Sequence, residues 1–123
     1  MTITGPDFIA LQVHDLDKAA AFYERVVGLT RAPFSPPHAV VFDTQPTFAV
    51  REPVPGVDLN AGPLGLGAVL WFHDPDAAAL QDAIASAGAT ILEAPFDGPF
   101  GTTFVFEDPD GYRVTVHDRA TRS

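Results

Sequence analysis

Histidine is the residue type in this chain that is best suited to metal binding or acid–base chemistry, because imidazole titrates near neutral pH and binds transition metals. The chain has four: His14, His38, His73 and His117. Two of them, His14 and His73, each precede an aspartate at a predicted helix start, where we expect local hydrogen bonds or solvation. The loop residue His38 has no partner at ligand spacing. We expect His117 to be a polar residue at the rim of a cavity.

Other chemistry has little support in the sequence. There is no cysteine, which excludes disulfides, thiolate metal sites and cysteine nucleophiles. The three serines lie outside any G-x-S-x-G pattern, so a hydrolase nucleophile is not indicated. The glycine-rich stretch at residues 62–67 precedes a predicted strand, whereas a phosphate-binding loop opens a helix.

Composition and charge limit the possible partners. The chain has 123 residues, of which 46% are hydrophobic, and this predicts one globular domain. The net charge of −9 repels phosphate backbones and argues against nucleic-acid binding. That charge serves solubility first, and it would also favour a cationic ligand. No apolar run is long enough for a membrane span, and residues 1–7 lack the pattern of a signal peptide. We therefore expect a cytoplasmic protein.

The first half of the chain predicts a β-α-β-β-β order. Alternating apolar residues at 8–13 predict a strand, and Asp15 is placed as the N-cap of an amphipathic helix over 16–27 that ends at Gly28. Three short strands are predicted around 30–32, 38–43 and 47–51. A segment rich in proline and glycine follows, and it predicts a linker at about 53–66.

The second half repeats this order. A strand at 68–72 precedes Asp74, which we expect to cap a helix with Pro75 in its first position and Gly88 at its end. Strands are predicted near 90–93, 103–107 and 112–117. Residues 108–111 (DPDG) predict a β-turn.

The two halves also resemble each other in sequence. HDLDKAA at residues 14–20 aligns with HDPDAAA at residues 73–79, an offset of 59 residues with five of seven positions identical. Acidic residues suit any helix N-terminus, so this match alone could arise by chance. Because the order of elements on both sides is the same, an internal duplication is the better interpretation. Its modules are about 7–52 and 67–118.

Two segments carry a family resemblance. LQVHDLDKAAAFY at 11–23, with Gly28-Leu29 after it, is similar to the opening V-x-D…F-Y…L-G signature of the vicinal oxygen chelate superfamily, which includes glyoxalases, bleomycin-resistance proteins and ring-cleaving dioxygenases. FEDPDGYRV at 106–114 resembles the terminal D-P-D-G-Y hairpin of that family. The resemblance implies an α+β fold in which two tandem β-α-β-β-β modules form a curved, open, barrel-like mixed sheet with helices outside. It also implies a homodimer.

The resemblance further implies where a metal would be bound. Metal-dependent members place one His, Gln or Glu ligand on each of four strands. The corresponding positions here are Phe8, Ala49, Ala68 and Thr115. Phenylalanine and alanine have no donor atom, and a neutral hydroxyl is a poor primary ligand. We therefore expect neither a metal nor another cofactor.

Strand parity predicts which residues face the concave side. We expect an organic ligand to be bound there by a mostly apolar set with a few polar groups. The full set of predicted ligand-binding residues is Phe8, Gln12, Ala49, Arg51, Ala68, Leu70, Phe72, Phe104, Arg113, Thr115 and His117. Trp71 and Tyr23 are expected to fill the core instead.

Three functional hypotheses follow. The preferred one is a metal-free protein that sequesters a small aromatic or cationic compound, as in the bleomycin-resistance branch. The alternative is an enzyme, a glyoxalase-like lyase or isomerase or a dioxygenase, that uses atypical metal ligands or acid–base groups such as Glu107 and His117. The third is a domain that mainly associates with another protein.

Overall fold

The computed structural model describes residues 2–121. It contains seven strands and two helices, in an α+β arrangement, as expected. Two compact units follow one another along the chain, Met1–Ala61 and Gly62–Ser123. Among the described residues, none of the helices has the length and apolar character that crossing a bilayer demands.

The first unit contains β1 (Phe8–Gln12), α1 (Leu16–Ala21), β2 (Ala39–Phe42) and β3 (Thr47–Arg51). The sheet order is β1-β3-β2, with β3 parallel to β1 and antiparallel to β2. The strand predicted at 30–32 is reduced to a single bridge between Arg31 and Phe42. Prolines at 33, 36 and 37 follow it at once, and they cannot donate to a ladder.

The predicted helix over 16–27 has the expected extent, but its first part is α-helical and its second part is π-helical. Asp15 caps it by accepting a hydrogen bond from the Lys18 amide at 3.1 Å. After α1 the chain continues as a π-helical segment, Phe22–Val27, and the amide of Gly28 donates to the Tyr23 carbonyl at 3.1 Å. Gly28 ends the helix in the left-handed region (φ 93°), where glycine has no Cβ penalty.

The core of the first unit forms between this helix and one face of the sheet. Tyr23 is fully buried, as predicted, with its ring 5.0 Å from Phe48 and 6.4 Å from Phe42. Two buried alanines, Ala19 and Ala20, allow the helix backbone to approach closely. The opposite face of this sheet is called the open face below.

The second unit contains β4 (Leu70–His73), α2 (Ala77–Ser86), β5 (Thr90–Gly98), β6 (Gly101–Glu107) and β7 (Arg113–His117). Its sheet order is β4-β7-β6-β5, with β4 and β7 parallel and the other pairs antiparallel. The predicted β-α-β-β-β order is confirmed for this unit. In both units the first and last strands pair in parallel.

The start of α2 corrects a prediction. Asp74 is not the helix cap, because its carboxylate accepts from the Asp76 amide at 2.9 Å in a turn that spans Pro75. Asp76 is the N-cap and accepts from the Ala79 amide at 3.1 Å. The helix therefore begins later than predicted and ends at Ser86, shortly before Gly88 (φ 85°).

The strand β5 is longer than predicted and is bulged. Its pairing with β6 shifts between Ile91 and Glu93 and again between Glu93 and Phe96, so that Leu92 and Pro95 lie at the irregularities. Proline is suited to such a position because it has no amide to donate. Bulges and proline also protect an edge strand from pairing with another chain.

The core of the second unit lies beneath α2, which packs on β5 and β6. Ala77, Leu80 and Ile84 form its buried stripe at helical spacing. The sheet presents four fully enclosed side chains to this core: Phe104, Phe106, Val114 and Val116. The opposite face of this sheet is again called the open face.

The predicted DPDG turn is confirmed. The buried Asp108 carboxylate accepts from the amides of Asp110 and Tyr112, both at 2.9 Å. The Gly111 amide donates to the Asp108 carbonyl at 3.0 Å. These bonds fix the β6–β7 connection and hence the pairing of the two central strands.

We predict that Gly101→Ala destabilises the second unit. Gly101 has φ of 87°, and an added Cβ would collide with the Asp118 carboxylate. We expect a loss of at least about 2 kcal/mol from backbone strain and overpacking together, measured by urea unfolding. Gly62→Ala is the control, because Gly62 has an ordinary φ and no heavy atom within 4 Å of an added Cβ. Equal losses in the two variants would contradict this account.

Candidate functional site

The open face of the first sheet carries four of the predicted site residues. The register aligns Phe8 with Thr47, Ala10 with Ala49, and Gln12 with Arg51, so Phe8, Gln12, Ala49 and Arg51 share one face. Phe8 is 55% exposed, whereas Ala49 is buried. The structure therefore brings these four residues to the same side of one sheet, as parity predicts.

The two polar members of this face hold nearby backbone. The Gln12 side-chain oxygen accepts from the Val54 amide at 2.8 Å, and Arg51 Nε donates to the Glu52 carbonyl at 2.9 Å. Both bonds fix the segment that follows β3. A part in ligand binding for these residues stays a prediction.

The second sheet corrects the predicted parity of its first strand. Leu70 pairs with Val114 and Phe72 with Val116, so Leu70 and Phe72 lie on the α2 side of the sheet. Phe104, which pairs with Val116, lies on that side as well and is fully buried. These three residues do not share a face with Arg113, Thr115 and His117, contrary to the expectation.

Trp71 lies on the open face of the second sheet, where strand parity had placed Leu70 and Phe72. It pairs with Thr115, and His73 pairs with His117, which puts both residues on the open face. The expectation that Trp71 fills the core is wrong, because its side chain is 46% exposed.

A cavity of about 460 Å³ lies on the open face of the second sheet. Its apolar lining comes from Ala68, Val69, Leu92 and Val105, and its polar lining from Glu93, Arg113 and Thr115. Three predicted residues, Ala68, Arg113 and Thr115, are thus brought together. Val69, just before β4, is 70% exposed.

Charge in the cavity comes from one residue of each sign. Glu93 on β5 pairs with Val105 on β6, and Arg113 on β7 lies two positions before Thr115, the β7 partner of Val105. Within residues 2–121, neither side chain forms a hydrogen bond or an ion pair. Both charged groups can therefore meet polar parts of a bound molecule without breaking an existing contact.

The four histidines have local partners. His14 Nε2 lies 3.2 Å from Asn60 Oδ1, and His38 pairs with Glu52. His73 Nε2 lies 3.3 Å from the Asp118 carbonyl, and His117 Nδ1 lies 2.8 Å from the Arg119 carbonyl. Across residues 2–121 no group of three or more His, Asp or Glu side chains is arranged to hold a metal ion.

Sequence reasoning missed five residues of this face, namely Val69, Trp71, Leu92, Glu93 and Val105. The internal repeat contains the signal for the first two, because the 59-residue offset aligns Ala10 with Val69 and Gln12 with Trp71. Leu92 and Glu93 are exposed where β5 bulges. Only Pro95 hints at that irregularity in the sequence.

Comparison with known proteins gives the family. Residues 5–116 match the model of the Glyoxalase/Bleomycin resistance protein/Dioxygenase superfamily. The chain belongs to this superfamily. Among curated proteins, no sequence matches it.

Solved structures share the fold at low sequence identity. An antibiotic-binding protein, TnmS3 from Streptomyces sp. CB03234, is 21% identical with a TM-score of 0.75, over 98% of this chain and 99% of that one. A glyoxalase/bleomycin resistance protein from the same strain is 22% identical with a TM-score of 0.71, covering 89% and 96%. Lactoylglutathione lyase from Agrobacterium tumefaciens is 20% identical with a TM-score of 0.63, covering 94% of each chain.

The side of the sheet on which the indole lies can be measured, because Trp71 is the only tryptophan. We expect acrylamide to quench its fluorescence readily in the folded protein, since quenching needs contact with the ring. The double variant Trp71→Phe/Phe72→Trp moves the indole to the α2 side, and its emission should be blue-shifted and less quenched. Similar quenching of the two proteins would contradict the register.

Proposed function

We propose that this chain binds a small, largely apolar and aromatic organic molecule without transforming it, on the open face of its second sheet. The observation that carries the proposal is the cavity lined by Val69, Val105, Thr115 and the charged side chains of Glu93 and Arg113. Its volume of about 460 Å³ falls in the range of ligand sites, roughly 300–1,000 Å³. An apolar floor with a few polar groups is the usual composition of such sites.

Exposed apolar surface beside the cavity supports the proposal. Val69, just before β4, and Trp71, on β4, are two positions apart, and both are substantially exposed. Contiguous apolar patches on a surface commonly mark ligand or protein contacts. Burying this face under a flat ring would remove it from water, at about 25 cal/mol for each Å² covered.

Metal independence is part of the proposal. The positions that the family uses for metal correspond here to Phe8, Ala49, Ala68 and Thr115, and the first three have no donor atom. Such a set does not fit a divalent ion, and the proposed binding therefore involves no metal. The named relatives include an antibiotic-binding protein and a lyase, and sequestration is the function that needs no metal.

The setting of this function is also a proposal. The charge of −9 favours a neutral or cationic ligand over an anionic one and disfavours nucleic acid. A homodimer in the cytoplasm stays a prediction from the family resemblance and from the sequence.

A charge placed in the apolar floor tests the location of the site. Val69→Asp should weaken binding of a neutral planar aromatic probe by about tenfold or more, because the carboxylate would be desolvated under the ligand. The folded state should be unaffected, since Val69 is 70% exposed. Affinity is measured by isothermal titration calorimetry.

The matched control is Leu66→Asp. Leu66 is also exposed in the second unit but does not line the cavity. This variant should bind the probe as the unsubstituted protein does. Equal weakening by both substitutions would show a general charge effect and would remove the support for this site.

Metal content separates binding from metal-dependent catalysis. Protein purified without chelators should contain far less than one transition-metal ion per chain by elemental analysis. Near-stoichiometric metal, lost together with ligand response on treatment with a chelator, would overturn the proposal in favour of a lyase or dioxygenase with atypical ligands.

A further inference from the structure

Four aromatic rings meet next to the cavity, on the same open face. The ring of His117 lies 5.6 Å from Trp71, 5.8 Å from His73 and 5.7 Å from Phe100, measured between ring centroids. Trp71 and Phe100 contact each other edge to face at 6.1 Å. We call these four residues the aromatic recess.

The recess adjoins the cavity along the neighbouring strands β4 and β7. Trp71 pairs with Thr115 of the cavity lining, and His117 follows Thr115 by two positions on β7. Two positions along a strand span on the order of 7 Å. A molecule of two fused rings that covers Thr115 can therefore reach His117.

One hydrogen bond fixes the tautomer of His117. Its Nδ1 lies 2.8 Å from the Arg119 carbonyl oxygen, which can only accept, so Nδ1 carries the hydrogen and donates. In the neutral ring Nε2 then holds a lone pair and acts as an acceptor. The side chain is held in a defined orientation by the backbone that follows β7.

Within residues 2–121 the Nε2 atom of His117 has no hydrogen-bond partner, although the residue is only 3% exposed. Among the described residues no fully enclosed side-chain nitrogen or oxygen lacks a hydrogen bond. Nε2 is therefore not fully enclosed, and it reaches accessible space from within a ring of aromatic neighbours. An oriented acceptor in an apolar setting discriminates strongly for ligands that can donate to it.

We propose that the aromatic recess selects planar aromatic ligands that carry a phenolic hydroxyl, with His117 Nε2 as the acceptor of that hydroxyl. This selectivity rests on the proposed function, because it concerns the ligand of the adjoining cavity. The exposed rings of Trp71 and Phe100 supply stacking or edge contacts to the aromatic body. His117 supplies the hydrogen bond that distinguishes one aromatic compound from another.

A metal site is the other use that two neighbouring imidazoles suggest. His73 and His117 pair across β4 and β7, and each ring nitrogen that donates is directed at a backbone carbonyl. In residues 2–121 no third His, Asp or Glu joins them in an arrangement that could hold a metal. Two neutral ligands alone make a weak site, whereas a single acceptor suffices for a hydroxyl.

The test compares two probes, 2-naphthol and 2-methoxynaphthalene, of which only 2-naphthol can donate a hydrogen bond. Calorimetry should show that the protein binds 2-naphthol roughly five- to tenfold more tightly. In His117→Phe, which keeps a ring but has no acceptor, this preference should disappear. Comparing the ratio of affinities between proteins cancels the difference in hydrophobicity between the probes.

Two further variants keep the test decisive. His117→Asn places an amide donor near the position of Nδ1, towards the Arg119 carbonyl, and has no group at the position of Nε2. This variant replaces His117→Phe in the test if the phenylalanine variant fails to fold. His38→Phe removes an exposed histidine of the first unit and should retain the full preference for 2-naphthol. In nitrogen NMR the His117 Nε2 resonance should shift with 2-naphthol and not with the methoxy compound.

The outcomes separate the two proposals. If both probes bind and neither variant of His117 changes their affinity ratio, the selectivity assigned to His117 is wrong while ligand binding stands. If neither probe nor any compound of a wider aromatic panel binds, the proposed function itself fails. Loss of the preference in the His117 variants alone supports the hydroxyl contact.

Discussion

The parallel pairing of β4 with β7 is the constraint on which the candidate site depends. Because side chains alternate along a strand, this register sends Leu70 and Phe72 to the core beneath α2 and Trp71 and His73 to the open face. A slip of one residue would exchange the two sets and bury the indole. The fully enclosed Val114 and Val116 on β7 oppose such a slip, since they need apolar partners on the α2 side.

Much of the fold is readable from local chemistry. The cap at Asp15, the left-handed Gly28 and the turn around Asp108 are each specified by side chains within a few residues, and each is where the sequence predicts it. The bounds of β3, Thr47–Arg51, are also those predicted from the sequence. Such features need no knowledge of distant parts of the chain.

The errors arise where a distant contact decides. The apolar run at residues 68–72 predicts a strand, but because both of its faces are apolar the sequence does not tell which one packs against the core. The pairing with β7 settles this question, and it is a contact between residues more than 40 positions apart. A distant contact also bears on the start of α2. The Asp74 amide donates to the His117 carbonyl and so continues the β4–β7 pairing, and the helix cap is Asp76, two residues later. Of the candidate site, the β7 residues were predictable because β7 has an unambiguous core face.

The superfamily supplies a sheet face on which different side chains support different functions, so function has to be argued from those side chains. Here the face holds an exposed indole, two charged groups and an imidazole oriented by a backbone carbonyl. Neither charged group, nor the second nitrogen of the imidazole, has a hydrogen-bond or ion-pair partner in the part of the chain that the structure describes. Leaving Val69 and Trp71 in water lowers the stability gained on folding, and that loss is recovered only when something covers them. The Nε2 acceptor contributes no hydrogen bond to folding, because nothing within residues 2–121 donates to it. The fixed orientation of Nε2 therefore matters for binding, where a hydroxyl of a ligand can donate to it.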